Sequence, residues 1–273
     1  MSKRDSGEHP LVSIIIPARN EEVTLPVTLS SIYEQTYSNI EIIVIDNNST
    51  DKTKEIANKF GVKVISYGGK PLGARYVGLR ESEGHYVLLL DADQILKKDT
   101  IERGVEEIKN CDMLILEEAS YNPTTWTQKQ IAKERQALHN RAMTSDIIKS
   151  GLFPRFFKRE FLMKVYQKIP EKLLPIVFAH DDAIVFDEAY KISTNVKILP
   201  RAVMHIEERN LIDLIIHSYG LGKSSKALAK TGLYEHLYST PPQLKNLKQS
   251  LTTKTTLLTL IRSMAYRIGF ILG

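Results

Sequence analysis

The stretch that most constrains this chain is Tyr86-Val87-Leu88-Leu89-Leu90, an apolar run that ends abruptly in Asp91-Ala92-Asp93. It is apolar at successive positions, so a strand made from it is buried on both faces, as in the interior of a parallel sheet. In an open α/β sheet, ligands bind just beyond the carboxyl ends of the strands. Two carboxylates one residue apart at such an end repel each other unless a cation lies between them. A divalent metal shared with a phosphate-bearing ligand meets that need, because magnesium takes one or two carboxylates together with substrate phosphates. In isolation, Asp-x-Asp reads more readily as a polar turn. The rest of the chain decides.

Residues 11–17 form a β-branched strand stopped by Pro17, and a polar turn, Ala18-Arg19-Asn20-Glu21-Glu22, follows. A helix then runs to about Gln35, with Leu25, Leu29 and Ile32 on one face and Pro26 in its first turn. Residues 40–45 give a second strand ending at Asp46. The next helix runs from Asp51 to Phe60, with Ser49 or Thr50 as its expected N-cap and Gly61 as its terminator. Residues 62–66 read as a third strand. The stretch Gly68 to Arg75 opens a helix to about Glu83, and the strand carrying the two acids comes next. A helix near 98–109 and a strand over 112–116 complete the regular half. This alternation implies right-handed βαβ units and an α/β fold with a mostly parallel central sheet flanked by helices.

Beyond about Glu117 the regularity fades. The pattern predicts a long helix over 127–149, a short strand Arg155-Phe156-Phe157-Lys158, and a helix from Glu160 to Gln167. It then predicts a helix opened by His180-Asp181-Asp182, a strand Val196 to Leu199, a loop Arg201 to Glu208 containing His205, and a helix near 210–230. The last twenty residues read as an amphipathic helix, with Leu257, Leu258, Ile261, Ala265, Ile268 and Leu272 apolar and Lys254, Arg262 and Arg267 basic.

With 273 residues, 42% of them hydrophobic, the chain can bury one large core. A single cysteine, Cys111, excludes an internal disulfide and fits a reducing compartment. The net charge of +5 permits a polyanionic ligand or an anionic membrane surface and selects neither. No stretch reaches the roughly 18 uninterrupted apolar residues of a spanning helix, and no signal segment precedes residue 11. The expectation is a cytoplasmic protein with no nucleic-acid partner, its C-terminal helix a candidate for peripheral contact with the cytoplasmic face of a membrane.

Three polar clusters close strands of the first half: Arg19-Asn20-Glu21-Glu22, Asp46-Asn47-Asn48-Ser49 and Asp91-Ala92-Asp93. In a parallel sheet they converge on one edge. An acid such as Asp46 at a strand end is suited to hydrogen-bond a base or ribose. The stretch Gly68 to Arg75, with Lys70 and Arg75, can bring a backbone and a cation to a diphosphate, with a helix N-terminus behind it. It is neither a Walker loop nor a dinucleotide fingerprint.

Ile-Ile-Ile-Pro-Ala-Arg-Asn-Glu-Glu, Val-Ile-Asp-Asn-Asn-Ser-Thr-Asp, Gly-Ala-Arg-Tyr-Val-Gly-Leu and Leu-Leu-Leu-Asp-Ala-Asp occur in that order and spacing over residues 11–95. Together they resemble a family 2 glycosyltransferase of the GT-A fold, with looser similarity to about residue 230. The resemblance implies a single GT-A-type domain with a helical C-terminal extension. Its expected parts are a polar tail (1–10), a nucleotide-sugar-binding half (11–117), an acceptor-binding half (118–232) and the extension (233–273). It implies a UDP- or GDP-linked sugar donor, a Mn²⁺ or Mg²⁺ ion, and inversion at the anomeric carbon. Asp46 would hold the nucleoside, Pro17, Ala18 and Glu21 would line its pocket, and Lys70 and Arg75 would approach the nucleotide. Asp93 would ligate the metal, with Asp91 on the ribose or the metal's water and His205 as a further ligand. Asp182 would be the catalytic base and Asp181 supporting or acceptor-binding, the two pointing different ways from a helix.

The chain departs from the family pattern at Asn47, at Tyr76 and at His180-Asp181, where relatives carry an acid, Asn and Gly-Glu. It lacks the Gln-x-x-Arg-Trp motif of processive synthases, its only tryptophan being Trp126, which argues for transfer of one sugar per encounter. The expected acceptor is a glycan or a lipid-linked hydroxyl, with Arg135, Arg141, Arg155, Lys158 and Arg159 available to receive a phosphate. The alternatives are a polyprenyl-phosphate sugar synthase and, from other classes, a sugar-1-phosphate nucleotidyltransferase or a silent nucleotide-sugar-binding module. Pro17-Ala18-Arg19 lacks the Gly-rich loop the nucleotidyltransferase needs, and retention of both acidic pairs argues against the silent module.

Overall fold

A computed structural model describes residues 9–142, 152–208, 210–238 and 257–273. An eight-stranded sheet in the order β3-β2-β1-β4-β7-β6-β8-β5 forms its centre. In chain order the strands are β1 Val12–Ala18, β2 Ile40–Asp46, β3 Lys63–Ser66, β4 Tyr86–Leu89, β5 Gln94–Leu96, β6 Met113–Ser120, β7 Pro154–Lys158 and β8 Val196–His205. The helices are α1 Leu25–Tyr33, α2 Thr53–Lys59, α3 Pro71–Glu81, α4 Thr100–Ile108, α5 Trp126–Ala142, α6 Arg159–Tyr166, α7 Asp181–Ile192, α8 Leu211–Ala229, a short α9 Glu235–Tyr238 and α10 Leu257–Leu272. β1 to β4 are mutually parallel, as expected. β7 is inserted antiparallel between β4 and β6, and β5 runs antiparallel to β8 at the far edge. β6 and β8 pair in parallel.

The inner strands carry apolar residues on both faces because each face has its own core. Ile14, Ile16, Leu88 and Leu90 enter one cluster, with Leu25, Leu29 and Ile32 of α1 and Ile101 and Ile108 of α4. Ile15, Val87 and Leu89 enter the other, with Leu72 and Leu79 of α3, Leu162 of α6 and Ile184 of α7. β7 contributes Phe156 to the first cluster and Phe157 to the second.

Three local expectations are corrected. The segment Arg201 to Glu208 is not simply a loop, because β8 continues through it to His205. Pro200 and Arg201, the latter with φ +51°, mark an irregularity that reads as a strand end, yet pairing with β6 resumes at Val203. β5, only three residues long, leaves too little pattern to be read, and it pairs with the part of β8 that was missed. Neither Ser49 nor Thr50 caps α2, which begins at Thr53. Asp51 Oδ1 accepts from Thr53 N at 3.0 Å instead. Ser49 Oγ accepts from Asn20 N, and Thr50 N donates to Asn20 Oδ1 at 2.9 Å, so these residues join the two turns beyond β1 and β2. Gly61 follows α2 with φ +70°, the left-handed conformation in which glycine is cheapest. The expected helix over 127–149 is described to Ala142, and its remainder lies outside the described residues, as do residues 1–8 of the polar tail.

α10 lies beside α8 and parallel to it. Gly222 meets Tyr266, and one turn on, Lys226 Nζ donates to Ile271 O. A Cβ on Gly222 would stand 1.9 Å from Tyr266 O, and one on Gly269 2.1 Å from Tyr219 O, so the two helices touch through backbone. Among the described residues no helix is long and apolar enough to cross a membrane.

α3 sits equally close to β1: a Cβ on Gly78 would stand 2.3 Å from Ile15 Cγ2. Gly78→Ala is expected to cost about 1–3 kcal/mol, as overpacking does, in spite of alanine's better helix propensity. Urea unfolding with an unchanged m-value and a lowered midpoint would bear this out.

Candidate active site

The carboxyl ends of β1, β2 and β4 bring their three polar turns together. Pro17 and Ala18 pair in register with Ile45 and Asp46, and Asn47 N donates to Ala18 O at 2.8 Å. Asp46 is buried, and its Oδ1 accepts from Ser49 N at 3.3 Å. Glu21 N donates to Thr53 Oγ1 at 2.7 Å, and its carboxylate accepts from Thr24 Oγ1. Burial pushes the Glu21 carboxyl up to about 7 against the pull of the Thr24 hydroxyl, with the charges of Asp93 and Asp91 adding to the rise. Lys70 is the extended residue just before α3.

Beside these turns lies a buried cluster of charge. Arg75, one turn into α3 and 3% exposed, donates through Nε to Asp181 Oδ2 at 2.9 Å and through Nη2 to Asp91 Oδ1 at 2.7 Å. Its Nη2 also lies 3.4 Å from Asp182 Oδ1. Arg155, the second residue of β7, donates to Asp91 Oδ2 at 2.8 Å and Asp182 Oδ1 at 3.1 Å, with Asp182 Oδ2 at 2.9 Å. Asp181 and Asp182 therefore do not act apart, as their successive helical positions suggested: both face Arg75.

The two arginines treat the two key carboxylates differently. Burial acts to raise Asp91, but Arg155 and Arg75 outweigh it and hold this carboxyl well below the usual range. Burial pushes Asp182 up to about 7, opposed most by Arg155 and reinforced by Asp181.

A second network stands on the other side of Ala92. His205, the last residue of β8, has Nε2 at 3.5 Å from Asp93 Oδ2 and Nδ1 at 3.5 Å from Glu207 Oε2. Glu207 Oε1 accepts from Arg135 Nε at 2.9 Å and from Ser120 Oγ at 2.6 Å, and Arg135 also pairs with Glu118. Burial lowers the His205 imidazole, but Asp93 and Glu207 more than reverse this and raise it to about 9. The backbone fixes the pair: Gln94 pairs with His205 in the β5–β8 ladder, and Ile206 N donates to Asp93 O at 2.9 Å.

The residues expected around a metal therefore divide. Asp91 spends both oxygens on arginines. Asp93 keeps a buried Oδ1 without a hydrogen-bond partner and has imidazole against its other oxygen. A hard carboxylate oxygen left bare beside a histidine suits a divalent cation that completes its shell with phosphate. No ready cage of three acidic, histidine or cysteine ligands stands among the described residues.

Most of the expected phosphate-receiving set is engaged within the protein. Arg155 and Arg135 serve the two networks, Lys158 pairs with Asp112, and Arg159 Nε donates to Ser82 Oγ. The side chain of Arg141 lies outside the described residues. Glu118 and Glu207 were not anticipated. The signal for Arg155 was present: one arginine inside a strand otherwise fit for burial, Phe153-Pro154-Arg155-Phe156-Phe157, needs an internal anion.

Residues 13–166 match the family model described as Glycosyl transferase family 2. Over 100 residues the chain is 35% identical to an Escherichia coli protein named UDP-Glc:alpha-D-GlcNAc-diphosphoundecaprenol beta-1,3-glucosyltransferase WfgD; the alignment takes in 35% of this chain and 40% of that one. The chain spans less than half the length of the curated relatives it matches. Its fold superposes with a TM-score of 0.60 on Staphylococcus aureus TarS 1–349 in complex with UDP-GlcNAc, at 19% identity, covering 95% of this chain and 80% of that one. The score is also 0.60 for the mannosyltransferase PcManGT from Pyrobaculum calidifontis in complex with GDP-Man and Mn²⁺, at 15% identity over 96% and 87% of the two chains. At such identities these likenesses concern the fold alone.

Removing one member of a buried ion cluster leaves the others uncompensated. Arg155→Met is expected to cost about 3–5 kcal/mol. In a double-mutant cycle, Arg155→Met with Asp182→Asn should cost clearly less than the sum of the two single changes. Additive losses in chemical denaturation would mean that the two side chains do not interact.

Proposed function

The chain belongs to glycosyltransferase family 2, its match to the family covering more than half of its length, and on that premise we propose that it is an inverting transferase moving one sugar from a nucleoside diphosphate to an acceptor hydroxyl. The observation that carries this reading is the placement of Asp182: a buried carboxylate at the start of α7 held by Arg75 and Arg155, the two guanidinium groups that also hold Asp91, where burial raises its pKa to about 7. A general base works best when its pKa lies near the working pH.

In this reading the nucleoside lies at the ends of β1 and β2, against Pro17, Ala18 and Glu21, with Asp46 accepting a hydrogen bond. Lys70 and the N-terminus of α3 face the diphosphate. Asp93 and His205 would hold a Mn²⁺ or Mg²⁺ ion, which when bound supplies positive charge to the leaving diphosphate. Asp182 takes the proton of the acceptor hydroxyl. The acceptor oxygen bonds to the anomeric carbon from the face opposite the departing phosphate oxygen, and the nucleoside diphosphate leaves. Arg75 and Arg155 keep Asp182 ionised and aimed, and Asp181 fixes Arg75. The relative named for a diphosphoundecaprenol-linked acceptor and the neighbours solved with UDP-GlcNAc and with GDP-Man and Mn²⁺ support a UDP- or GDP-sugar and a lipid-linked acceptor.

One observation favours a second reading. Asp182 is already ion-paired twice, and the same arginines suit an anionic acceptor. A polyprenyl phosphate needs no deprotonation and would make the protein a polyprenyl-phosphate sugar synthase.

Transfer assays with UDP- and GDP-sugars, Mn²⁺, and either a diphosphate-linked sugar or a polyprenyl phosphate separate the two. With a hydroxyl acceptor, Asp182→Asn is expected to lower kcat by about 10²–10⁴-fold; near-normal turnover would overturn the base assignment and favour the phosphate acceptor. The kcat/KM profile should fall on the acid side of about pH 7, because Asp182 is protonated there and cannot take a second proton. An acid limb unmoved in Asp182→Glu and Asp182→Asn would assign it elsewhere. Asp93→Ala should abolish the response to added Mn²⁺.

A further inference from the structure

α8 and α10 together present one apolar surface. On α8, Ile212, Ile215, Ile216 and Tyr219 are exposed at the spacing that puts them on one side of a helix. On α10, Leu257, Leu260, Met264, Ile268 and Ile271 repeat that pattern. Ile216 is 63% exposed and Met264 64%. Scattered exposed apolar residues need no explanation, but a contiguous patch does. The close backbone approach at Gly222 and Gly269 sets the two helices that carry these stripes side by side.

We propose that this face seats the enzyme on an anionic lipid surface. The charge around it has the right sign. The exposed face of α8 changes from apolar to basic at Lys223 and ends at Lys230, and Arg267 is exposed on α10. α10 carries no acidic residue, and α8 carries only Asp213. Such a helix pair lies in the interface plane, apolar side chains among the acyl chains and cations at the headgroups. A second copy of the chain fits less well, because a two-fold interface brings the same cations against themselves with Asp213 as the single acid on the two helices to answer them.

The surface also leads toward the active site. Ile176 and Phe178 are exposed in the loop before α7, and Phe178 N and Ala179 N donate to Ser224 Oγ of α8, at 3.3 and 2.9 Å. His180 Nε2 lies 2.8 Å from Ser225 Oγ. Helix α8, which carries the exposed face, is thus tied through its other sides to the residues that precede Asp181 and Asp182. Docking rests on these contacts and charges and stands whichever acceptor is used.

Flotation of the full chain with vesicles tests the proposal. It should rise with equimolar phosphatidylcholine and phosphatidylglycerol, less with pure phosphatidylcholine, and less in high salt. Ile216→Glu with Ile268→Glu should lower partitioning by about tenfold or more, with the circular dichroism spectrum and Tm unchanged. Lys223→Glu with Arg267→Glu should remove the preference for the anionic vesicles. Failure to float with either vesicle, or flotation indifferent to the isoleucine changes, would overturn the proposal. So would light scattering that shows a dimer which Ile216→Glu converts to monomer. Transfer to the diphosphate-linked sugar and to the polyprenyl phosphate, both presented in neutral detergent without vesicles and measured in parallel, keeps the two readings apart: full transfer without flotation sinks docking alone, and flotation without transfer to either sinks the transferase reading alone.

Discussion

Two arginines buried among three aspartates hold the candidate site in register. Arg75 comes from α3, Arg155 from β7, Asp91 from the end of β4, and Asp181 and Asp182 from the start of α7. Four elements from distant parts of the chain thus meet in one set of contacts, each charge compensating another. Withdrawing such charges from water is costly, and the cost is offset only when geometry and hydrogen bonding are good. The cluster is therefore better understood as a fixing of positions than as a source of stability. It sets where helix α7 stands relative to strands β1, β2 and β4.

The same cluster gives two similar side chains opposite tasks. Asp91, flanked by both guanidinium groups, stays ionised at any ordinary pH. Asp182, deeper in burial relative to its compensation and beside Asp181, titrates near neutrality. Environments that drive neighbouring acids apart mark acid–base assignments in enzymes generally. Asp93 falls under neither regime, since its partner is the imidazole of His205 and one of its oxygens is bare.

The parallel half of the fold was legible because its signals are local. Strand β4 announces itself by apolar residues on both faces, α2 by the glycine that ends it, and the donor-side turns by polar clusters that parallel pairing must bring together. What escaped reading depends on pairing across long separations. β5 is three residues long and is a strand only because β8 lies beside it, and β8 hides behind Pro200 and the left-handed Arg201. Within the site, Asp46, Arg75 and Asp91 could be singled out from strand ends and the turns beside them, and Asp182 only through the resemblance to the family. The partnership of Arg155 with Asp182 could not, because nothing local says that β7 slots between β4 and β6. Arg135 and Glu207 stand 72 positions apart in the chain, and their ion pair exists only in the folded molecule.

The crossing from β4 to β5 has a consequence for how the molecule comes into being. Asp91-Ala92-Asp93 leaves an inner strand and at once reaches the opposite margin of the sheet, where Gln94–Leu96 takes its ladder partner from residues 203–205. As the chain leaves the ribosome, β1 to β4 can associate early, but the acidic tip stays without its mooring until more than a hundred further residues have been made. Contacts of such long sequence separation form late and slowly. The acidic tip is thus among the last parts to be assembled, and a truncated product holding β1 to β4 alone would carry the motif without the geometry.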